Sequence, residues 1–394
     1  MSIVKVTDNI YWVGAVDWNV RSFHGNTYNT KRGTTYNAYL IMDDRVTLVD
    51  TVYAPFSAEL LNNISGIVDP AKIDNIVMNH VEPDHSGAFP EVLKKCPKAK
   101  VYGTAKCKEG LYRYYYVDMD FTVVKSGDTL KTGKKTLKFI EAPMLHWPDS
   151  MFTYLAEDEL LMPNDAFGQH IATSKRFDDE IDKCALMDEA SKYFANILWP
   201  FSGLVLKKIE EVTAAKISIK TIAPSHGIIW RKNPGEILNA YVKWAKNETK
   251  KKVVICYETM WGATEKMALN MEKGLADSGV EVFLFDVSKT DHTQIIGQMI
   301  DAKGFLFGSS THDNNMLPNM GSFLEFFKGL KPKGRMAAAF GSYGWAGGAV
   351  KELEAVIKDS GIELSMPSIS ARFMPDESEI TKCYELGKEF AGKL

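Results

Sequence analysis

Two rhythms of apolar and polar positions divide this chain of 394 residues. In the first, short β-type runs are broken by single helices. Runs at 9–14, 36–42 and 46–49 predict strands, and 56–67 predicts a helix. A buried strand over 73–78 follows, then a polar loop and a helix opening at 86–91, for which Ser86 is the expected N-cap, and ending near Lys95. A short strand at 101–102 and a helix from Thr104 come next. Further strands are predicted at 121–125, 137–141, 152–155 and 160–161, helices from 181 to about 216, and a strand at 217–223. Two mixed sheets face to face, each covered by helices, are the simplest packing for this order, an αββα sandwich.

The second rhythm starts at Lys252, after the polar stretch 245–252. Strands at 253–257, 280–285, 304–307, 336–340 and 362–365 alternate with helices at 265–278, 293–301, 321–328, 349–359 and 377–394. Near-continuous apolar strands separated by helices predict a doubly wound parallel sheet. The class is therefore α/β, with one domain over 1–249 and a second over 250–394, each of ordinary size at roughly 100–200 residues per domain.

Composition narrows the partners. Hydrophobic content of 45% and charged content of 25% are those of a globular protein, and a net charge of −3 argues against nucleic acid or an anionic membrane as partner. No run approaches the ~18 apolar residues of a spanning helix, and the start has no signal-peptide core, so a cytoplasmic location is expected. The five cysteines (Cys96, Cys107, Cys184, Cys256, Cys383) form no C-x-x-C pair, which argues against a zinc knot or rubredoxin-type site within the chain.

The loop after the 73–78 strand reads Asn79-His80-Val81-Glu82-Pro83-Asp84-His85. Imidazoles and carboxylates at a strand's carboxyl end are a ligand set for first-row transition metals. Three more residues of ligand type stand at strand ends or turns, namely His146, Asp165 and His226. Together these are four imidazoles and three carboxylates, enough for two ions with one carboxylate bridging.

In the second half, Thr259-Met260-Trp261-Gly262-Ala263-Thr264 joins a strand to a helix N-terminus, where backbone N–H groups and hydroxyls can cradle a monophosphate. Two later loops end at the same sheet edge. One carries Ser310, Thr311 and Asn314; the other carries Ser342, Tyr343, Gly344, Trp345 and Gly347. Glycines admit a flat ring, and the aromatic residues offer it faces or edges.

The order H-x-E-x-D-H, then histidine, aspartate and histidine, resembles the metallo-β-lactamase superfamily, whose hydrolases carry H-x-H-x-D-H. Here Glu82 replaces the second histidine. A hard oxygen donor, with no thiolate in the set, shifts the preference from zinc toward iron or manganese. Residues 252–394 resemble a flavodoxin, with the usual T-x-T-G-N-T altered by Met260 and Trp261. A single phosphate turn without a pyrophosphate motif favours FMN over FAD.

The two halves in this order resemble the flavodiiron proteins, or A-type flavoproteins, across the whole chain. The resemblance implies reduction of dioxygen to water, of nitric oxide to nitrous oxide, or both. Matched by position, it implies one iron on His80, Glu82 and His146, a second on Asp84, His85 and His226, and Asp165 bridging. His24 and Tyr193 resemble residues that stand beside the diiron pocket; His170 stays outside the ligand set, and Trp345 is a candidate to lie between flavin and metals. The resemblance also implies a head-to-tail homodimer or tetramer and a separate electron donor, rubredoxin or, alternatively, reduced deazaflavin. Two other readings are a zinc-dependent hydrolase with an accessory flavodoxin domain and a carrier that uses FMN alone.

Overall fold

The computed structural model describes residues 3–25 and 27–394. They form two compact units, one of residues 1–193 with 203–242, the other of residues 194–202 with 243–394.

The first unit is built on two mixed sheets. In the 7-stranded sheet the order runs Val4–Thr7, Ile10–Trp12, Tyr39–Ile41, Val46–Val49, Ile73–Val77, Lys100–Gly103 and Phe121–Val123. Its early strands pair antiparallel and those from Val46 onward pair parallel. The 5-stranded sheet runs Thr129–Lys131, Thr136–Glu141, Met151–Leu155, Leu160–Met162 and Thr221–Ile222.

Strand alternation explains why the sheets stack. Leu40, Leu48, Ile76 and Val101 point into a core shared with helices Ser57–Ser65, Phe89–Lys95 and Ala105–Tyr115. Their neighbours Tyr39, Ile41, Val49 and Val77 point the other way, into a core with Leu137, Phe139, Met151, Leu155 and Leu160 of the second sheet. With a period of two, each strand feeds both cores, which is what a sheet covered on both faces requires.

The second unit is a parallel sheet ordered Glu281–Asp286, Lys250–Glu258, Ala302–Ser310, Met336–Tyr343 and Glu363–Leu364, with Ile369–Arg372 also pairing with Met336–Tyr343. Helices Ala263–Asp277 and Glu377–Ala391 pack on one face. They approach so closely that a Cβ at Gly274 would meet the carbonyl oxygen of Tyr384.

Three local expectations need correction. Ser86 is not an N-cap: Pro83 starts a short helix Pro83–Ser86 with Glu82 at the capping position, and Ser86 Oγ instead donates to Val81 O at 2.6 Å. The run 217–223 is a strand only over Thr221–Ile222, which pairs with Leu160 and Leu161. Finally, the single strand expected at 362–365 is two pieces, Glu363–Leu364 and Ile369–Arg372, since Pro367 between them has no N–H for the ladder. Among the described residues no helix is long and apolar enough to cross a membrane.

Candidate functional site

In the first unit, four strand ends converge. His80 follows Ile73–Val77, His146 follows Thr136–Glu141, Asp165 follows Leu160–Met162, and His226 follows Thr221–Ile222. The short helix Pro83–Ser86 turns the chain tightly enough that Glu82, Asp84 and His85 come from one loop. The structure brings the seven together as two groups, His80–Glu82–His146–Asp165 and Asp84–His85–His226.

Asp165 divides its two oxygens between them. Its Oδ2 faces His80 Nε2 at 3.6 Å and His146 Nε2 at 3.4 Å, while Glu82 Oε2 lies 3.3 and 3.1 Å from the same two nitrogens. On the other side, Oδ1 faces His85 Nε2 at 3.0 Å and His226 Nε2 at 3.6 Å, and Asp84 lies 3.4 and 3.1 Å from those nitrogens.

An outer layer aims the rings. His80 Nδ1 donates to Asp149 Oδ2 at 3.0 Å, and the Val81 N–H donates to the same oxygen at 2.8 Å. His226 Nδ1 donates to the Thr35 carbonyl at 2.7 Å, and Ser225 Oγ donates to Asp165 Oδ1 at 3.0 Å. Such contacts fix which ring nitrogen is free to bind a cation. Sequence reasoning missed Asp149, which reads as an ordinary turn residue after Trp147-Pro148; the available signal was its place between His146 and the buried strand Met151–Leu155.

His24 Nε2 reaches Glu82 Oε1 at 3.3 Å. Tyr193 is buried with its ring centroid 6.2 Å from that of His226. His170 lies behind His226 at 4.8 Å, stacked on Phe23 and hydrogen-bonded through Nδ1 to Thr34 Oγ1 at 2.9 Å.

Charge within the cluster is mutually supporting. Burial works against ionisation of Glu82 and Asp165, yet the surrounding imidazoles outweigh it and hold both below the usual carboxylate range. Burial likewise opposes a charge on His85 and His146, and the carboxylates outweigh it, raising both to about 9. Burial, with His226 beside it, lowers His170 well below the ordinary range, so that ring stays neutral. For Tyr193 burial raises the phenol well above its ordinary value, so the hydroxyl keeps its proton.

In the second unit a cavity of about 700 Å3 opens at the carboxyl ends of the parallel strands. Met260, Trp261, Ala263, Ser310, Thr311, Asn314, Ser342, Tyr343, Gly344 and Trp345 line it, as do His312, Asp313, Ala346, Phe373 and Met374, which sequence reasoning did not single out. Phe373 and Met374 follow the unforeseen strand Ile369–Arg372, which is why they escaped notice. Thr259, Gly262, Thr264 and Gly347 belong to the same loops without lining the cavity.

Thr264 Oγ1 is 3.0 Å from Ser310 Oγ and 2.9 Å from Ser342 Oγ, tying three loops into one hydroxyl knot. Thr259 Oγ1 accepts the Gly262 N–H at 3.1 Å. Gly262, at φ +84°, opens helix Ala263–Asp277 with no side-chain cap, so its first N–H groups are available to an anion.

Comparison with known proteins matches residues 34–227 to the ODP family beta lactamase model and residues 255–387 to the flavodoxin model. A nitric oxide reductase of Moorella thermoacetica is 52% identical over 393 residues, covering 99% of this chain and 98% of that one. The solved rubredoxin oxygen:oxidoreductase of Desulfovibrio gigas is 37% identical with a TM-score of 0.97, over 100% of this chain and 98% of that one. The flavodiiron protein of Giardia intestinalis is 36% identical with a TM-score of 0.96, over 100% and 97%. The chain belongs to the flavodiiron protein family.

The residues present suit what that family name requires. Asp84 Oδ1, both ring nitrogens of His85 and Asp165 Oδ2 are buried and have no hydrogen-bond partner. Buried polar atoms left unpaired are costly; a cation in each group would satisfy Asp165 Oδ2 on one side and, on the other, Asp84 Oδ1 with one ring nitrogen of His85. The flavodiiron flavin fits the cavity of the second unit, with an uncapped helix start for its phosphate and aromatic side chains around the opening.

Proposed function

We propose that this protein is a flavodiiron reductase in which FMN feeds a non-haem diiron centre that reduces nitric oxide to nitrous oxide or dioxygen to water. The division of Asp165 between the two ligand groups, one oxygen to each, carries this reading. His80, Glu82 and His146 hold one iron, Asp84, His85 and His226 the other, and Asp165 bridges. The relatives reported above are oxidoreductases by name, so the zinc hydrolase and the flavin-only carrier are set aside.

When bound, iron and flavin supply the electrons, four for dioxygen to water and two for nitric oxide to nitrous oxide. The chain supplies position and hydrogen bonds. Asp149 and the Thr35 carbonyl orient His80 and His226 from behind. His24 Nε2 donates to Glu82 Oε1, which restrains that carboxylate. Tyr193 keeps its hydroxyl proton beside the pocket, where it can donate a hydrogen bond to a bound oxygen species.

Residues 1–249 constitute the diiron domain and 250–394 the FMN domain, with the phosphate held by the turn 259–264 and the ring by the loops of Ser310, Thr311, Asn314, Ser342, Tyr343, Gly344, Trp345 and Gly347. The external donor is a rubredoxin-type protein, in keeping with the name of the Desulfovibrio gigas relative. Trp261 and Trp345, 87% and 91% exposed at the flavin rim, are surface that a second copy covers in a head-to-tail homodimer or tetramer. With all five cysteines free, the protein suits the cytoplasm.

The test supplies reduced rubredoxin and follows nitric oxide with an electrode while iron and flavin are assayed. Consumption of gas with nitrous oxide formed is expected. Zinc in the centre with no consumption of either gas would refute the proposal.

A further inference from the structure

A second cavity in the first unit, of about 370 Å3, lies between helices Ser202–Ala214 and Pro234–Ala245 and the strands Met151–Leu155 and Leu160–Met162. Its deep wall is Leu145, Ala166 and Phe167, all buried. Leu145 directly precedes His146, and Ala166 directly follows Asp165. Adjacent Cα atoms are at most about 3.8 Å apart, so this wall is one residue thick between the cavity and ligands of the metal centre.

The wall is held in place by unusual backbone. Met144 and Phe167 both have φ of +68°, a conformation rare for large side chains. At Phe167 the backbone N–H donates to Tyr241 Oη at 2.7 Å, and the two rings pack tilted with centroids 4.4 Å apart. That turn sends Asp165 into the metal centre and the Phe167 ring into the cavity. Toward the mouth the lining changes, with Ile209 and Val212 half-buried and Thr213 and Asn239 exposed.

A chamber with a deep end of leucine, alanine and phenylalanine offers water few of the two to four polar partners it needs, and such cavities take up apolar atoms and molecules. Ions and polar substrates are disfavoured there by desolvation. The substrates of the proposed reaction are small and weakly polar. We propose that this cavity is an antechamber that collects nitric oxide and dioxygen and passes them to the diiron centre through the wall formed by Leu145, Ala166 and Phe167. This inference rests on the gas-reductase reading.

The experiment pressurises crystals of the iron- and FMN-loaded protein with xenon and, in solution, compares wild type with Val212→Trp. Xenon is expected in the cavity of the wild type and not of the variant. The variant should lower kcat/KM for both gases by roughly threefold or more at unchanged kcat, iron and FMN content, the pattern of impaired access. Thr213→Trp, at the exposed mouth, makes the same comparison without placing bulk in the interior.

A wild-type cavity without xenon would overturn the proposal, as would a xenon-excluding variant that keeps its kcat/KM, or a longer apolar molecule found occupying the space. Each of these outcomes leaves gas reduction by the wild type intact. A wild type that consumes neither gas would instead remove the function on which the antechamber depends.

Discussion

Asp149 accepts the Nδ1 hydrogen of His80 across 3.0 Å, and in doing so decides that Nε2, the nitrogen facing Glu82 and Asp165, is the one left to bind metal. The same carboxylate oxygen takes the Val81 N–H, so a single buried side chain fixes both the ring and the loop that carries it.

Removing that anchor should weaken metal binding before it weakens the fold. For Asp149→Ala the expected loss of iron affinity is about 10–100-fold, measured by competition with a chelator. Unchanged affinity would mean that His80 is oriented by packing alone.

Asp165→Ala and His226→Ala test the centre itself. Each should abolish turnover and reduce bound iron while FMN stays bound, because the flavin cavity shares no residue with the cluster. Metal analysis and the flavin absorption spectrum check both halves of this expectation; full turnover with less than one iron per chain would contradict the assignment.

The hydroxyl knot makes the converse prediction. Thr264→Val removes a group bonded to both Ser310 and Ser342, beside the uncapped start of helix Ala263–Asp277. FMN affinity should fall by about tenfold, corresponding to roughly 1.4 kcal/mol, with iron content unchanged. Fluorescence titration of the apoprotein with FMN measures it. An unaltered dissociation constant would remove Thr264 from the phosphate site.

A partly buried ion pair in the flavodoxin-like unit gives a stability test with a definite pH sign. Lys252 Nζ, on a side chain only 6% exposed, donates to Asp301 Oδ1 at 3.0 Å and Gln298 Oε1 at 3.0 Å. Burial pushes the Asp301 carboxyl up, but Lys250 and Lys252 outweigh it and hold it below the ordinary value of 3.8. A lowered carboxylate contributes stability that is present above its unfolded value and lost as pH falls through its folded one. Asp301→Asn leaves the Lys252 ammonium without a counterion and should cost about 3 kcal/mol at neutral pH. The difference from wild type should shrink as pH falls below about 4, as read by urea unfolding. A difference that stays constant with pH would exclude the ion pair as its cause.

The parts legible in the sequence were those encoded by local chemistry. Imidazoles and carboxylates at strand ends mark the metal cluster, since few other arrangements place His80, Glu82, Asp84 and His85 in a single loop. The order of β-type runs and helices signalled two mixed sheets covered by helices, and the strands Tyr39–Ile41 and Val46–Val49 feed a core on either face. What was not legible depends on contacts between distant segments. Asp149 acquires its role from His80, 69 residues earlier. Phe373 and Met374 reach the flavin cavity only because Ile369–Arg372 resumes pairing beyond Pro367. Ser86 lost its expected cap because Pro83, a favoured first residue of a helix, started the turn earlier.

The central claim is that electrons pass from flavin to a diiron centre and on to a gas. The most direct measurement reduces the purified protein chemically without oxygen, then adds nitric oxide or dioxygen while the flavin spectrum is recorded and iron is quantified. The account predicts rapid flavin reoxidation in protein with two irons per chain, and its loss in Asp165→Ala. Equally rapid reoxidation in the iron-depleted variant would contradict it, because the flavin would then be reacting with the gas alone.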